Sequence, residues 1–165
     1  MNQVQARLFG HKIVRMEPME INGGRFYVRP LHDDDRIDDR PALAEALNTT
    51  EDAVATFVAT ARDDWHANRR LTWAVAEQTN VDMLALAELV LPPDFVAPEE
   101  RTANTPPPTT PATVRTISVG DPARVLPNDP VLTRKTVGDA TEEGLGTVRR
   151  WAEGYLGVRV VDAEA

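Results

Sequence analysis

The chain contains no cysteine, and this absence excludes several kinds of chemistry. Disulfides, thiolate nucleophiles and zinc–thiolate centres all require cysteine. Its one serine, Ser118, has no nucleophile motif around it. No run approaches the roughly 20 apolar residues of a membrane helix, and the first ten residues lack an apolar core of signal-peptide length. We therefore expect a cytoplasmic protein that does not interact with membranes.

Basic residues are also scarce relative to acidic ones. The chain has 18 Lys and Arg against 26 Asp and Glu, for a net charge of -8. A general nucleic-acid binder would present a basic face, so we expect no nucleic-acid partner. An anionic ligand would need a local basic spot, and Arg134 with Lys135 forms one.

The length and composition indicate one globular domain with substantial loop. The chain has 165 residues, 42% of them hydrophobic, with 13 Pro and 9 Gly. We predict an N-terminal extension over residues 1–20 and a single domain over 21–165. Prolines cluster between residues 92 and 111, where they cannot donate to a sheet. Residues 92–113 are therefore expected to form a long extended loop or a partly disordered insertion.

The hydrophobic patterns predict an α+β sandwich, in which helices flank a mixed, mostly antiparallel sheet. The polar connection 78–82 predicts a hairpin, and the second strand of that hairpin is apolar enough to be central. Thr49 with Asp52 resembles a capping box. Gly144 and Gly146 indicate close packing of the last helix against the sheet, because interior glycines otherwise cost roughly 1 kcal/mol each. The predicted strands are 11–16, 25–31, 71–77, 83–91, 114–119 and 158–163, and the predicted helices are 41–47, 49–68 and 141–155.

Residues 135–141 form a candidate phosphate cradle. Lys135 supplies a positive charge, and Gly138 and Ala140 leave the backbone open at the start of a helix. Backbone N–H groups and the helix dipole favour an anion there, and Thr141 follows directly. The alternative is an ordinary loop and N-cap, where small and polar residues are also common.

Several local patterns, taken in order, resemble the GCN5-related N-acetyltransferases. The residues 29–31 (Arg-Pro-Leu), 72–76 (Thr-Trp-Ala-Val-Ala) and 84–91 are similar to the family's first three strands. Residues 135–142 resemble its acetyl-CoA loop, and 149–158 resemble the following helix and its exit into a strand. The resemblance covers residues 21–91 and 112–165, and we expect no counterpart of the family's last helix and final two strands.

This resemblance implies a fold, a cofactor and a reaction. The cofactor would be acetyl-CoA, with its diphosphate at Lys135, Gly138, Ala140 and Thr141. The backbone of Ile117 and Val119 would hold its pantetheine arm. A primary amine would then attack the thioester directly, and a general base would remove its proton.

Glu88 is the one ionisable residue inside an apolar predicted strand. Burial would raise the pKa of its carboxyl, which suits a general base. The alternative is a structural carboxylate at the solvent edge or paired with an arginine. His32 with the acidic residues 33–35 lacks the spacing of a calcium loop, so we expect a solvated helix start and no metal site.

Under a second hypothesis, the protein has the same fold but no catalytic activity. A domain of the same ancestry could serve as a binding or structural module, in a homo-oligomer or a larger assembly with a partner protein. Exposed sheet edges invite pairing with another chain, and fold resemblance alone does not grant an activity.

Overall fold

The computed structural model describes residues 16–127 and 131–163, and these ranges contain one sheet and three α-helices. The strands are β1 (Ile21–Asn22), β2 (Phe26–Arg29), β3 (Arg70–Glu77), β4 (Ala85–Val90), β5 (Ala112–Ser118) and β6 (Val160–Asp162). The helices are α1 (Arg40–Leu47), α2 (Glu51–His66) and α3 (Val137–Trp151), with a 3₁₀ turn at Pro98–Glu100 and a π turn at Ala152–Leu156.

The strands lie in the sheet in chain order, β1-β2-β3-β4-β5-β6. Neighbouring strands are antiparallel from β1 to β5, and β6 is parallel to β5. The predicted α+β class with a mixed, mostly antiparallel sheet is confirmed, as are the β3–β4 hairpin and the central place of β4. The predicted strand 11–16 lies outside the described residues except for Met16, which is buried.

Helices cover both faces of the sheet. Successive side chains of a strand point to opposite faces. Accordingly Val75 joins the apolar cluster that contains α3 residues such as Val148, whereas its neighbour Ala74 joins the cluster with Leu43 of α1 and Val58 of α2. This layering holds the ends of β4 and β5 between α1 on one side and α3 on the other.

Helix α1 ends, and helix α2 begins, close to the residues predicted from the sequence. Asn48, with a φ of 53°, ends α1 in the left-handed conformation that asparagine tolerates. The N-cap of α2 is Thr50, whose hydroxyl oxygen accepts a hydrogen bond from the amide of Ala53 at 3.2 Å. The capping-box prediction at Thr49 and Asp52 was therefore wrong by one residue.

Helix α3 begins at Val137, four residues before the predicted start. Its N-cap is Thr136, so Gly138 and Ala140 lie within the first helical turn. A β-carbon at Gly144 would lie 2.5 Å from Val75 Cγ2, which confirms the close packing against the sheet. Gly157 ends the helical stretch with a φ of 68°.

The proline-rich connection between β4 and β5 is anchored at several points. Phe95 and Ala97 are buried in the main apolar cluster. The guanidinium of Arg101 lies over the Phe95 ring, 5.5 Å from its centroid, and donates to the backbone oxygens of Val96 and Leu156. The connection thus packs against the end of α3.

Candidate functional site

The end of β5 carries an unpaired backbone edge. The amide of Val119 donates to the Leu84 oxygen at 2.9 Å, and the amide of Ala112 donates to the Arg159 oxygen at 2.8 Å. Because backbone groups alternate in direction along a strand, odd-numbered residues of this stretch face β4 and even-numbered ones face β6. The β5–β6 pairing ends at Val114 with Asp162.

Thr116 and Ser118 therefore turn their backbone N–H and C=O groups toward the space beyond β6. Among residues 16–127 and 131–163, no backbone group pairs with them on that side. The backbone groups of Ile117 and Val119, the residues that the family resemblance assigns to the pantetheine arm, face β4. Which residues of a strand direct their backbone groups to which neighbour depends on the pairing register, and a single sequence does not determine that register.

The predicted phosphate cradle lies at the start of α3, and its amides already have acceptors. Thr136 and Asp139 form a capping box, in which each side chain accepts a hydrogen bond from the other's amide. The five donor–acceptor pairs are Thr136 N to Asp139 Oδ2 (2.8 Å), Val137 N to Arg124 O (2.9 Å), Gly138 N to Pro122 O (2.7 Å), Asp139 N to Thr136 Oγ1 (3.1 Å) and Ala140 N to Thr136 O (3.1 Å). A diphosphate at this position would have to displace these internal acceptors.

The remaining cradle residues also have internal partners. Lys135 Nζ lies 3.1 Å from Glu143 Oε2, one helical turn into α3. Ala140 is fully buried, and a β-carbon at Gly138 would lie 3.1 Å from the Pro122 oxygen. The Thr141 hydroxyl donates to Val137 O and lies 2.8 Å from Ser118 Oγ. The structure thus brings Thr141 next to the open edge of β5.

Asp139 places a negative charge at the start of α3. Hydrogen bonds from the backbone amide and the side chain of Thr136 hold the pKa of Asp139 below its ordinary value. Nearby Lys135 and Arg25 lower the pKa further. The first turn of α3 therefore carries a carboxylate, which opposes the binding of a second anion.

Glu88 is buried on β4 and paired with arginines from the strands on either side. Its Oε2 accepts from Arg115 Nε at 2.7 Å, and its Oε1 lies 3.6 Å from Arg70 Nη1. The Arg70 guanidinium in turn lies over the ring of Phe57, 4.9 Å from its centroid. This arrangement is the arginine-paired alternative of the sequence analysis.

A cleft of about 480 Å³ lies beside the end of β5, between α1, the β3–β4 hairpin and the connection to α3. Its buried apolar lining includes Met83, Leu84, Val119 and Leu126. Five carboxylates and two guanidinium groups complete the lining: Asp38, Asp39, Glu45, Glu77, Asp82, Arg36 and Arg124. This size suits a small ligand.

Three of the cleft carboxylates are already neutralised by arginines. These pairs are Asp38 with Arg40, Asp39 with Arg29 and Glu77 with Arg25. In the part of the chain that the structure describes, Glu45 and Asp82 have no cationic partner within ion-pair distance. No sequence pattern predicted this cleft, because its acidic side chains come from two stretches far apart in the chain, 38–45 and 77–82.

Residues 33–35, which were predicted to be solvated, are exposed, whereas the later acidic residue Asp39 is buried. Asp39 is 2% exposed and binds the guanidinium of Arg29, whereas Asp34 and Asp38 are exposed and accept hydrogen bonds from nearby backbone amides. Among the described residues, no group of three His, Asp or Glu is placed to hold a metal ion. Nor does any helix there have the length and apolarity to cross a bilayer.

No protein-family model matches the chain, and no curated protein does. The chain is similar to a solved structure from Vibrio cholerae described as a "putative ribosomal-protein-serine acetyltransferase". The sequences are 12% identical, with a TM-score of 0.45 over 64% of this chain. The match spans 57% of the Vibrio cholerae protein. At this TM-score the likeness carries no argument about activity, and the fold rests on the strand order given above.

Proposed function

We propose that this chain is an acyl-CoA-dependent N-acyltransferase-type domain, with acetyl-CoA as the cofactor. The acyl-thioester arm would lie along the open edge of β5 at Thr116 and Ser118. One observation carries this proposal: β5 continues past the end of its pairing with β6, and within residues 16–127 and 131–163 no backbone group pairs with these residues on that side. A pantetheine arm contains amide groups, which can pair with such an edge as an added strand does.

The cleft beside Val119 is the proposed binding site of the amine substrate. Among the described residues, its carboxylates Glu45 and Asp82 lack cationic partners within ion-pair distance, so either could pair with a protonated amine. In the reaction, the neutral amine nitrogen attacks the thioester carbonyl carbon. The C–N bond forms, the C–S bond breaks, and the amine proton passes to a base while the sulfur leaves as a thiolate that is then protonated.

The start of α3 favours a second candidate, a non-catalytic module with the same fold. The five amides that would hold the diphosphate all have acceptors within the chain, and Asp139 adds a negative charge. In that case residues 135–141 serve only to begin the helix, and the open β5 edge pairs with another polypeptide.

Calorimetric titration with two thioesters separates these candidates. Acetyl-CoA and acetyl-pantetheine share the arm, but only acetyl-CoA has a diphosphate. We expect both to bind with affinities within about threefold of each other, because the amides of α3 are already used. A much tighter binding of acetyl-CoA would mean that the diphosphate displaces the capping box. If neither compound binds, the non-catalytic module is the remaining candidate. Light scattering would then test whether the chain self-associates.

Two substitutions at one position test the edge itself. Ser118→Pro removes the N–H that faces the gap and leaves the pairing with β4 in place, as proline is tolerated at a sheet edge. Ser118→Ala keeps that N–H and is the matched control. We expect about a tenfold loss of thioester affinity for Ser118→Pro and little change for Ser118→Ala. Equal affinities would place the arm elsewhere.

A charge reversal at Lys135 tests whether the diphosphate uses the start of α3. Lys135→Glu would abolish acetyl-CoA binding if the diphosphate lies there. It would leave binding of acetyl-pantetheine unchanged in either case. If acetyl-CoA binds Lys135→Glu as well as the unaltered chain, the cradle at residues 135–141 is not used.

A further inference from the structure

Residues 102–111 form a proline-rich arm between the 3₁₀ turn and β5. Its start is fixed by a turn in which the Thr105 amide donates to Thr102 O at 3.1 Å and the Thr102 amide donates to Thr105 Oγ1 at 2.9 Å. Toward its end, Asp94 Oδ2 accepts from both the amide and the hydroxyl of Thr109, at 2.8 and 2.9 Å. The first anchor is a turn within the arm, and the second ties the arm to Asp94 at the start of the connection.

Between the anchors, the sequence Pro106-Pro107-Pro108 requires a polyproline II conformation. Each ring fixes φ near −65°, and each residue before a proline is restricted to extended ψ values. Both restrictions apply to Pro106 and Pro107. Together, the fixed φ and the extended ψ define the polyproline II region. No helix or strand is assigned to this stretch.

The exposure of the arm fits such a helix over its prolines. A polyproline II helix repeats every three residues. Thr105 and Pro108 are half-buried, whereas Pro106 and Pro107 between them are exposed. The chain then bends at Thr109 and Thr110, which are also exposed.

We propose that the arm is a docking segment for a partner protein with an aromatic-lined groove that recognises polyproline II helices. Such a groove contacts proline rings on the exposed side of the helix. The rings of Pro106 and Pro107 are exposed for that contact. Because the conformation is already fixed, little conformational entropy is lost when the partner binds.

The charges around the arm specify the partner further. Asp94, Glu99 and Glu100 are exposed carboxylates close to it in the chain, and Arg101 is held by Val96, Leu156 and Phe95. A groove with a basic rim complements this surface, and the net charge of -8 adds to the attraction. This surface is separate from the proposed thioester site, so either can be tested without the other.

NMR titration provides the test. Isotope-labelled SH3, WW and EVH1 domains, the three groove types that bind polyproline II segments, are each mixed with the full chain. We expect saturable shifts at the groove aromatics of at least one of them. Pro106→Ala with Pro107→Ala should weaken that binding about tenfold. Pro93→Ala, at an exposed single proline outside the arm, should leave it unchanged.

A third variant tests the fixed conformation. Asp94→Ala removes the anchor at Thr109 and keeps every proline, so we expect binding to weaken about threefold. Circular dichroism of each variant confirms that the domain is folded. The proposal is overturned if none of the three domains shifts at about millimolar chain, or if the double proline variant binds as well as the unaltered chain.

Discussion

The guanidinium of Arg29 and the carboxylate of Asp39 form two hydrogen bonds of 2.8 Å each, with both side chains 3% exposed. Asp39 also accepts from the amide of His32, and Arg29 donates to the backbone oxygen of Val81. The pair therefore joins β2, the start of α1 and the β3–β4 hairpin. Burial disfavours the charged guanidinium, but the hydrogen bond and charge of Asp39 outweigh it and raise the pKa of Arg29.

Removing one partner of this buried pair should be strongly destabilising. We expect Asp39→Ala to lower the free energy of unfolding by about 3–5 kcal/mol, because Arg29 is left charged and buried. Urea denaturation measures the effect. Asp38→Ala is the matched control, since its ion pair with Arg40 is exposed and should be worth less than about 1 kcal/mol. Similar losses for the two variants would contradict the assigned role of Asp39.

The contact between Gly144 and Val75 gives a second prediction. A β-carbon at position 144 would lie 2.5 Å from Val75 Cγ2 and 3.1 Å from Cγ1. We expect Gly144→Ala to destabilise the protein by about 1–3 kcal/mol through overpacking, although alanine favours a helix by about 1 kcal/mol. Thermal denaturation measures the change.

Two further variants isolate the cause. A β-carbon at Gly154 would meet nothing within 4 Å, so Gly154→Ala should be neutral or stabilising by up to about 1 kcal/mol. In a Val75→Ala background, Gly144→Ala should cost less than it does alone, because the clashing methyl groups are gone. A Gly144→Ala protein of unchanged or higher stability would disprove the close contact.

Much of the fold could be predicted because its signals are local. The hairpin of β3 and β4 follows from two apolar runs around the polar residues 78–82, and the end of α3 follows from Gly157. The start of α3 was misplaced although its signal was also local. Thr136 and Asp139 have the spacing of a capping box, but the surrounding residues 135–141 were interpreted as a phosphate cradle.

The candidate site was less predictable because it depends on register and on distant pairing. Ile117 and Val119 were chosen for the thioester arm, but alternation from the Ala112 contact turns Thr116 and Ser118 outward. The arginine partners of Glu88 come from β3 and β5, 18 and 27 residues away in the chain. Such pairings arise only when the sheet forms, so composition and spacing do not give them.

Glu88 gives a third prediction, in which its structural and catalytic roles differ. We expect Glu88→Gln to lower the free energy of unfolding by about 1–3 kcal/mol, because Arg115 loses a charged acceptor and Arg70 loses a nearby negative charge. Glu45→Gln, at an exposed carboxylate, should change it by less than about 0.5 kcal/mol. If Glu88→Gln folds with full stability and binds acetyl-CoA normally but loses acetyl transfer, Glu88 acts as the general base.

The capping box of α3 gives a pH-dependent prediction. Hydrogen bonds from Thr136 hold the pKa of Asp139 below its ordinary value of 3.8 in the folded protein. A carboxyl whose pKa is lower in the folded state than in the unfolded state stabilises the fold at neutral pH. That contribution is fully present above the unfolded pKa and is lost as the pH falls through the folded pKa.

We therefore expect Asp139→Ala to unfold at a lower temperature than the unaltered chain at neutral pH. The difference should shrink as the pH falls below about 4 and Asp139 becomes protonated. Glu142→Gln, at an exposed carboxylate in the same helix, should show little difference at neutral or acidic pH.

Asp139→Ala also tests the cofactor site, because it removes the negative charge of the carboxylate and frees the Thr136 amide. If a diphosphate binds at the start of α3, Asp139→Ala should bind acetyl-CoA more tightly than the unaltered chain does, with acetyl-pantetheine unaffected. A gap in melting temperature that is constant from neutral pH to pH 2 would show that the Asp139 carboxylate does not cap α3.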